Sequence, residues 1–379
     1  MKRPYQICQK TIMDTTDPNI TFDENGISDY YYNFVNYILP NWRTDEKGQE
    51  EMFKLADKIR KERKRYSFDC IIGVSGGLDS SYTIYLTKEI LNLRPLVFHV
   101  DAGWDTNQAV SNIERLLNGL NLDLYTEVIN WEEMKDLQRS YFLAQVSNVD
   151  GPQDIAFFSS LYKFARKNNI KYVFTGANYS TECCREPSAW GAPIGIDKKF
   201  VKVVHKRFGS IPLKTFPVID VFEYKLYYQQ ILGMKVVKPL NHFPFIKKDA
   251  EKLLMEKFGW QPFKHKHHES RFTRFYEDYW LPRKFGFHKR RAHFSSLILT
   301  GQMTREEALD RISKPELDEE TLQQEFEYVA NKLGWTKEEF QRIFEGENKS
   351  YWDYPNNGWL IKLATRSMRI MGLENRLLR

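Results

Sequence analysis

A glycine-rich loop between an apolar run and a helix-length segment constrains the fold of this chain more than any other feature. Residues 68–74 predict a buried strand, and residues 80–91 have the length of a helix. Between them the chain reads Ser75-Gly76-Gly77-Leu78-Asp79-Ser80-Ser81. Paired glycines let a backbone approach an anion closely, and the amides at a helix start point towards it. The loop therefore predicts a phosphate site in an α/β fold.

The spacing of the other apolar runs indicates a parallel sheet. Further strands are expected at 96–100, 124–129 and 172–176, and further helices at 50–65, 107–117 and 154–167. This alternation predicts a parallel sheet with helices on both faces and ligand sites beyond the carboxyl ends of the strands. From about residue 250 the chain is predicted to be mostly helical. Two capping boxes support this, Thr304-x-x-Glu307 and Thr336-x-x-Glu339.

The side chains of the loop suit a nucleotide triphosphate held with a metal ion. Ser75, Ser80 and Ser81 offer hydroxyl donors to phosphate oxygens. Asp79 would repel a phosphate, and a bound Mg²⁺ between them resolves that conflict. No lysine follows the glycines, so this is not a Walker loop.

The strand–SGGxDS–helix context resembles the loop of the N-type ATP-pyrophosphatase (PP-loop) superfamily, whose fold is adenine nucleotide alpha-hydrolase-like. That resemblance implies cleavage of ATP to AMP and pyrophosphate with Mg²⁺, to activate a carbonyl oxygen. It implies catalytic roles for Asp79, Ser75 and Ser80. The expected nucleotide contacts are Val74, Ser75, Gly76, Gly77, Asp79, Ser80, Ser81, Val100, Asp101 and Gly176.

Two of these positions lie at the ends of later strands. Asp101 ends the second strand, where such enzymes hold the adenosine; the alternative is a turn-forming role before Gly103. Residues 175–182 are similar to the Gly-Thr-x-Asn-x-x-Glu loop of NAD synthetases. That similarity implies that Glu182 is a second magnesium ligand beside Asp79; the alternative is a solvated loop acid.

A closer resemblance, to the N-acetyl sugar amidotransferases, covers nearly the whole chain. It is carried by residues 8–18, 21–26, 151–154, 188–191, 267–273, 279–286 and 289–293. The family converts a sugar N-acetyl group to an acetamidino group with ammonia, in surface polysaccharides such as lipopolysaccharide O-antigen. The implied substrate is a nucleotide-sugar such as UDP-2,3-diacetamido-2,3-dideoxy-mannuronic acid. The expected division is an N-terminal extension at 1–48, an ATP-pyrophosphatase domain at 49–245 and a helical substrate-binding or partner-binding subdomain at 246–379.

The N-terminal extension departs from the family. Members commonly carry a Cys-x2-Cys…Cys-x2-Cys zinc knuckle, but here the four positions read Cys8, Thr11, Ser28 and Tyr31. One thiolate cannot hold a structural zinc. We therefore expect no zinc. Either packing by Tyr30, Tyr31 and Tyr32 replaces the metal, or the segment is less ordered.

The net charge of +6 is concentrated in one segment. Residues 260–293 hold nine Lys/Arg against three acids, and five of the eight histidines. This segment fits a clamp for a nucleotide-sugar better than an RNA surface. For most of its individual residues we expect a place on a solvated helix face. We expect no nucleic-acid partner. The substrate candidates are Lys264, His268, Glu269, Arg271, Lys284 and Arg290. We expect His265, His267 and His268 to be hydrogen-bonded or substrate-facing rather than metal ligands.

The sequence contains no signature of a glutaminase. Position 2 is lysine, and none of Cys8, Cys70, Cys183 and Cys184 lies in a nucleophile elbow. Ammonia is therefore expected from solution or from a partner, which the family resemblance suggests is a glutaminase–cyclase pair like that of imidazole-glycerol-phosphate synthase.

No apolar run is long enough to insert in a membrane, so a cytoplasmic protein is expected. The alternatives are a ligase of the same superfamily acting on a tRNA base or nucleobase, and an inactive scaffold.

Overall fold

In the computed structural model, residues 3–191 and 195–370 are described, without the side chains of 368 and 369. Lys2 lies outside these residues. Five strands form one parallel sheet in the order β3-β2-β1-β4-β5. They are β1 Cys70–Gly73, β2 Pro95–Asp101, β3 Leu124–Val128, β4 Tyr172–Phe174 and β5 Lys235–Val237. The predicted α/β class and the first four strands are confirmed.

Helices connect the strands and make up most of the C-terminal half. The α-helices up to β5 are α1 Asp29–Asn33, α2 Glu46–Arg63, α3 Leu78–Tyr85, α4 Asn107–Leu120, α5 Trp131–Leu143, α6 Gly151–Lys167, α7 Tyr179–Glu182 and α8 Lys198–Phe208. Those after it are α9 Lys247–Phe258, α10 Arg271–Phe275, α11 Arg290–Leu299, α12 Arg305–Ile312, α13 Glu319–Leu333, α14 Lys337–Phe344 and α15 Gly358–Ile370. Wider π-helical turns occupy Phe34–Ile38, Leu86–Ile90, Glu223–Ile231 and Tyr276–Phe285. Short 3₁₀ turns occupy Leu39–Asn41, Ser188–Trp190, Pro239–Asn241 and Tyr351–Asp353.

The sheet is covered on both faces because successive strand side chains point to opposite sides. Ile71 of β1 and Phe98 of β2 belong to one hydrophobic core, which also includes Leu137 of α5 and Phe272 of α10. Ile72, next to Ile71, belongs to a second core. That second core is built with side chains from α2, α3, α4 and α9, including Met52, Ile84, Ile113 and Leu254. A parallel sheet between two helical layers results.

The C-terminal helices pack against the first core. Phe326 of α13 and Phe340 of α14 join Trp280 there, all essentially buried. Both predicted capping boxes are present, because the hydroxyls of Thr304 and Thr336 each accept a hydrogen bond from the amide of the glutamate three residues on.

Candidate active site

The phosphate loop has a backbone that only glycine suits. Gly76 has φ of +80°, and a Cβ added there would lie 2.5 Å from the carbonyl oxygen of Ala109. Gly77 is the N-cap of α3, and no side chain caps that helix start. The free amides of α3 and the exposed Ser75 therefore face the carboxyl edge of the sheet, where an anion would be stabilised.

A second loop packs directly against the first. The side chain of Asn178 caps α7 by accepting from the amide of Thr181 at 2.8 Å. A Cβ on Gly176 would lie 2.8 Å from the backbone carbonyl carbon of Asp79, so only glycine allows this approach. Because the two loops touch, Glu182 at the end of α7 lies near Asp79.

Lys266 lies between the two predicted magnesium ligands. Its Nζ is 2.7 Å from Oε1 of Glu182 and 3.9 Å from Oδ2 of Asp79. Burial raises the pKa of Asp79 to about 6, against the attraction of Lys266. Burial also raises the pKa of Glu182, but Lys266 outweighs it and the net pKa is lowered. The structure thus brings Asp79 and Glu182 together around one cation.

Asp79 and Glu182 suit a magnesium ion whose remaining ligands are phosphate oxygens of the substrate and water. Among the described residues no group of three His, Cys, Asp or Glu is arranged to hold a metal. Mg²⁺ in nucleotide sites commonly uses one or two carboxylates, with phosphate oxygens and water completing the shell. Two carboxylates that share an ammonium group beside a phosphate loop match that donor set.

Asp101, expected at the adenosine, has a contact of its own. Its Oδ1 accepts from the amide of Gly103 at 2.7 Å, so it forms the turn that was the alternative. It ends β2 beside Val100, and its side chain is half-buried. The two roles are compatible, because the turn uses only one oxygen, and the nucleotide contact stays a prediction.

A cavity of about 820 Å³ adjoins Lys266 and Glu182. Nine Lys/Arg against six Asp/Glu line it, which favours an anionic occupant. Of the substrate candidates, Lys264, His268 and Arg290 line this cavity. Lys247 and Lys248, at the start of α9, line it as well and were missed from the sequence.

The structure does not place the other three substrate candidates in the cavity lining. Oε1 of Glu269 accepts from the Ser75 hydroxyl at 3.4 Å, so Glu269 lies over the phosphate loop. Arg271 pairs with Glu325 at 2.9 Å and stacks on the ring of Tyr328. Lys284 donates to the backbone carbonyls of residues 344 and 346, and burial lowers its pKa to about 8. Their predicted substrate contacts therefore gain no support from this arrangement.

Most cations of the basic segment are neutralised by acids from outside it. Arg290 pairs with Glu316 at 2.7 Å, and Arg291 with Asp14 at 3.0 Å. Further pairs join Arg274 to Glu325, Arg283 to Glu319 and Lys289 to Glu186. The segment is therefore mainly a network of ion pairs between elements, and it does not form a clamp along its whole length. The lysines left to bind an anion in the cavity are Lys264 and Lys266, with Lys247 and Lys248 of α9.

Each histidine of the run 265–268 has a carboxylate partner. His265 pairs with Glu316, His267 with Glu277 at 3.0 Å, and His268 with Asp278 at 3.0 Å. All three histidines line the cavity. The expectation of hydrogen-bonded histidines agrees with this geometry.

The C-terminal part of the chain has a family match. Residues 269–368 match the family described as LPS biosynthesis protein WbpG-like, C-terminal domain. The chain is also 25% identical over 209 residues to the glutamine-hydrolysing GMP synthase of Thermosipho africanus, covering 50% of this chain and 38% of that protein. The chain thus spans well under half the length of this curated relative. The first match confirms a resemblance to a family of lipopolysaccharide biosynthesis, and the second agrees with the resemblance to the PP-loop superfamily.

Two solved structures overlap with parts of the fold. The NH3-dependent NAD synthetase of Campylobacter jejuni is 24% identical with a TM-score of 0.26, covering 36% of this chain and 57% of that one. The NMN synthetase of Francisella tularensis is 13% identical with a TM-score of 0.33, covering 76% and 94%. The fold itself rests on the sheet order rather than on these partial overlaps. Among the described residues no helix has the length and apolarity to cross a membrane.

Proposed function

We propose, from the similarity of this chain to GMP synthase, its phosphate loop and its WbpG-like C-terminal match, that it is an ATP-dependent carbon–nitrogen ligase. Its substrate is a nucleotide-sugar carrying an N-acetyl group, such as UDP-2,3-diacetamido-2,3-dideoxy-mannuronic acid of lipopolysaccharide O-antigen. The observation that carries the proposal is the phosphate loop, whose Asp79 shares Lys266 with Glu182, together with the predominantly basic cavity that Glu182 and Lys266 line.

The reaction divides into two steps. An amide carbonyl is a poor electrophile, so its oxygen first attacks the α-phosphate of ATP, and pyrophosphate leaves. The amide nitrogen releases its proton to solvent, which gives a neutral O-adenylyl imidate. Ammonia then adds to the carbon of the O-adenylyl imidate, and AMP leaves with the oxygen. Bound Mg²⁺ would neutralise charge developing on the phosphates.

The residues of the chain position the reactants. The α3 amides and Ser75 bind phosphate oxygens, and Asp79 and Glu182 hold the metal ion. Lys264, Lys247 and Lys248 bind the anionic groups of the sugar nucleotide in the cavity. Ammonia comes from a glutaminase–cyclase partner or from solution.

Replacement of Asp79 tests this assignment. With ATP, ammonium and a panel of UDP-N-acetyl sugars, the wild-type protein should release AMP and form an amidine that is one mass unit lighter than the substrate. Asp79→Asn should lower AMP release at least ~100-fold, because the metal ion loses a ligand where charge develops. Circular dichroism checks that the variant is folded.

Asp123→Asn is the matched control, because Asp123 is exposed and precedes β3 at the opposite edge of the sheet. It should have normal turnover. Near-normal turnover of Asp79→Asn would contradict the loop assignment.

The similarity to GMP synthases favours a second candidate, a nucleobase ligase. AMP release with a free nucleotide or tRNA, and not with UDP-sugars, would select that alternative.

A further inference from the structure

His267 has an unusual backbone for its residue type. Its φ is +64°, in the left-handed region that a non-glycine side chain rarely adopts. Such strained positions concentrate at functional sites, because the surrounding structure must hold them. His267 lies directly after Lys266, and about two-fifths of its side chain is exposed towards the cavity.

The imidazole of His267 is oriented by Glu277. Nδ1 lies 3.0 Å from Oε1 and 3.2 Å from Oε2 of that carboxylate. Glu277 is itself mostly buried, and Nζ of Lys289 is 3.8 Å from its Oε1. With Nδ1 engaged, Nε2 is the nitrogen that His267 can offer to a ligand in the cavity.

We infer that His267, oriented by Glu277, is a catalytic acid and base that transfers a proton between the two nitrogens of the amidine as ammonia adds. This inference rests on the proposed function and assigns a residue to its second step. Sequence reasoning gave His267 no such role.

The proton balance of that step requires such a group. As the C–N bond to ammonia forms, the imidate nitrogen gains an electron pair and takes the proton from Nε2 of the imidazolium. The entering nitrogen, which now carries a positive charge, returns a proton to Nε2. The C–O bond then breaks, and AMP leaves with its electron pair. The products are an amidinium group and AMP, and His267 ends in its starting state.

The charges around His267 keep it protonated at neutral pH. Burial lowers its pKa, but Glu277 outweighs this and raises it to about 9. The other titratable groups that face it are Asp154, Glu182, Lys266, Glu269 and His293, and Lys289 faces its partner Glu277. Glu277 is the largest influence that raises this pKa, and burial and Lys266 still lower it when Glu277 is removed, so the pKa should then fall to or below the ordinary value of about 6.5.

The test separates the two chemical steps. In His267→Asn, a residue that tolerates the left-handed backbone, amidine formation should fall about 100-fold or more. Sugar-dependent ATP–pyrophosphate exchange should stay within about threefold of wild type, because adenylylation precedes the proton transfer. The control is His205→Asn, since His205 also pairs with a carboxylate, Asp136 at 3.0 Å, but lies outside the cavity lining. It should have normal turnover.

The pH profile distinguishes proton transfer from a structural role. At constant free ammonia, wild-type turnover should fall above pH about 9, where the imidazolium is lost. In Glu277→Gln the fall should begin at a lower pH, at or below about 6.5. Unchanged turnover in His267→Asn, an equal loss of exchange and amidine formation, or an unshifted profile in Glu277→Gln would overturn the inference. A wild-type protein that releases no AMP with any sugar would instead overturn the proposed function.

Discussion

At the scale of single residues, the predicted metal site is organised by a cation that the chain supplies itself. Nζ of Lys266 contacts Glu182 directly and lies within 3.9 Å of Asp79. Without it, two carboxylates would face each other in a poorly solvated cleft, which is costly. Lys266 therefore acts as a counterion that a bound metal ion would displace or supplement.

Lys266→Met should make the stability of the protein depend on magnesium. Without a divalent ion the variant should lose roughly 1–3 kcal/mol, because the carboxylates lose their partner. Millimolar MgCl₂ should raise its melting temperature more than that of wild type, since no ammonium group competes for the site. Differential scanning calorimetry measures this. Lys252→Met, at a site where the side chain is 73% exposed, is the control. An equal response of both variants to magnesium would contradict this role.

Residues that required a long-range partner were the hardest to predict. The loop 75–81 and its flanking elements follow from local patterns, and the sequence predicted them. Lys266 was missed because its role depends on the fold bringing it to Asp79 and Glu182. Arg271 was named for the substrate although its actual partner, Glu325, lies on α13, where no local pattern indicates it.

At the scale of elements, hydrogen bonds organise the N-terminal segment around Cys8 and Thr11. Sγ of Cys8 accepts from the amide of Lys10 at 3.4 Å, and Oγ1 of Thr11 accepts in the same way from Met13 at 3.3 Å. The amide of Ser28 also donates to Cys8. Burial raises the pKa of the Cys8 thiol, but hydrogen bonds from Ser28 and Thr11 lower it below its ordinary value.

This N-terminal segment is anchored to the C-terminal helices. The guanidinium of Arg305, at the start of α12, donates to the carbonyl oxygens of Cys8 and Thr11 at 2.9 and 3.1 Å. The amide of Ile12 donates to Ser295 of α11 at 3.1 Å. This segment has only one of the four cysteines of a zinc knuckle, and hydrogen bonds to α11 and α12 hold it in place.

Restoring three cysteines should restore zinc binding. Thr11→Cys, Ser28→Cys and Tyr31→Cys together complete a Cys₄ set on this backbone, and one zinc per chain is expected by mass spectrometry of the native protein. With free zinc a hundred-fold above its dissociation constant, the stabilisation should be about 2.7 kcal/mol. Tyr31→Cys alone provides two thiols and should remain zinc-free. A triple variant without zinc would show that the four positions do not converge.

Edge elements were also hard to predict. β5 has only three residues and begins with the exposed Lys235, so no alternating or apolar pattern marks it. It pairs with β4 only through the fold. The other four strands, β1 to β4, lie in longer or more apolar runs, and the alternation of these runs with helix-length segments identified them.

At the scale of the whole molecule, the N-terminal segment, the sheet and the C-terminal helices share one hydrophobic core. Met13 and Tyr30, Ile71 and Phe98, and Phe326 all belong to it. The cavity lies where these parts meet, since Tyr30, Glu182 and Arg290 all line it. The site is therefore a property of the assembled chain, and a fragment lacking one part would lack part of the cavity wall.

The assembled chain also limits how nitrogen is obtained. Its four cysteines are all buried, and Cys183 and Cys184 are held against Ser296 of α11. Burial raises the pKa of the Cys70 thiol within β1, which suppresses the nucleophilic thiolate. Cys183 and Cys184 line the cavity, but the hydrogen bond with Cys183 and burial raise the pKa of the Cys184 thiol well above its ordinary value, which disfavours its thiolate as well.

The isolated protein should accordingly use ammonium salts and not glutamine. Amidine formation should increase with pH below about 9 in proportion to free ammonia, because only the neutral form attacks the adenylated carbon. Glutamine at the same concentration should give turnover at least ~100-fold lower, and adding a glutaminase should restore it by releasing ammonia. Mass spectrometry with ¹⁵N-ammonium and with amide-labelled glutamine identifies the source of the nitrogen. Efficient transfer from glutamine by the pure protein would show that a nucleophile exists within this chain.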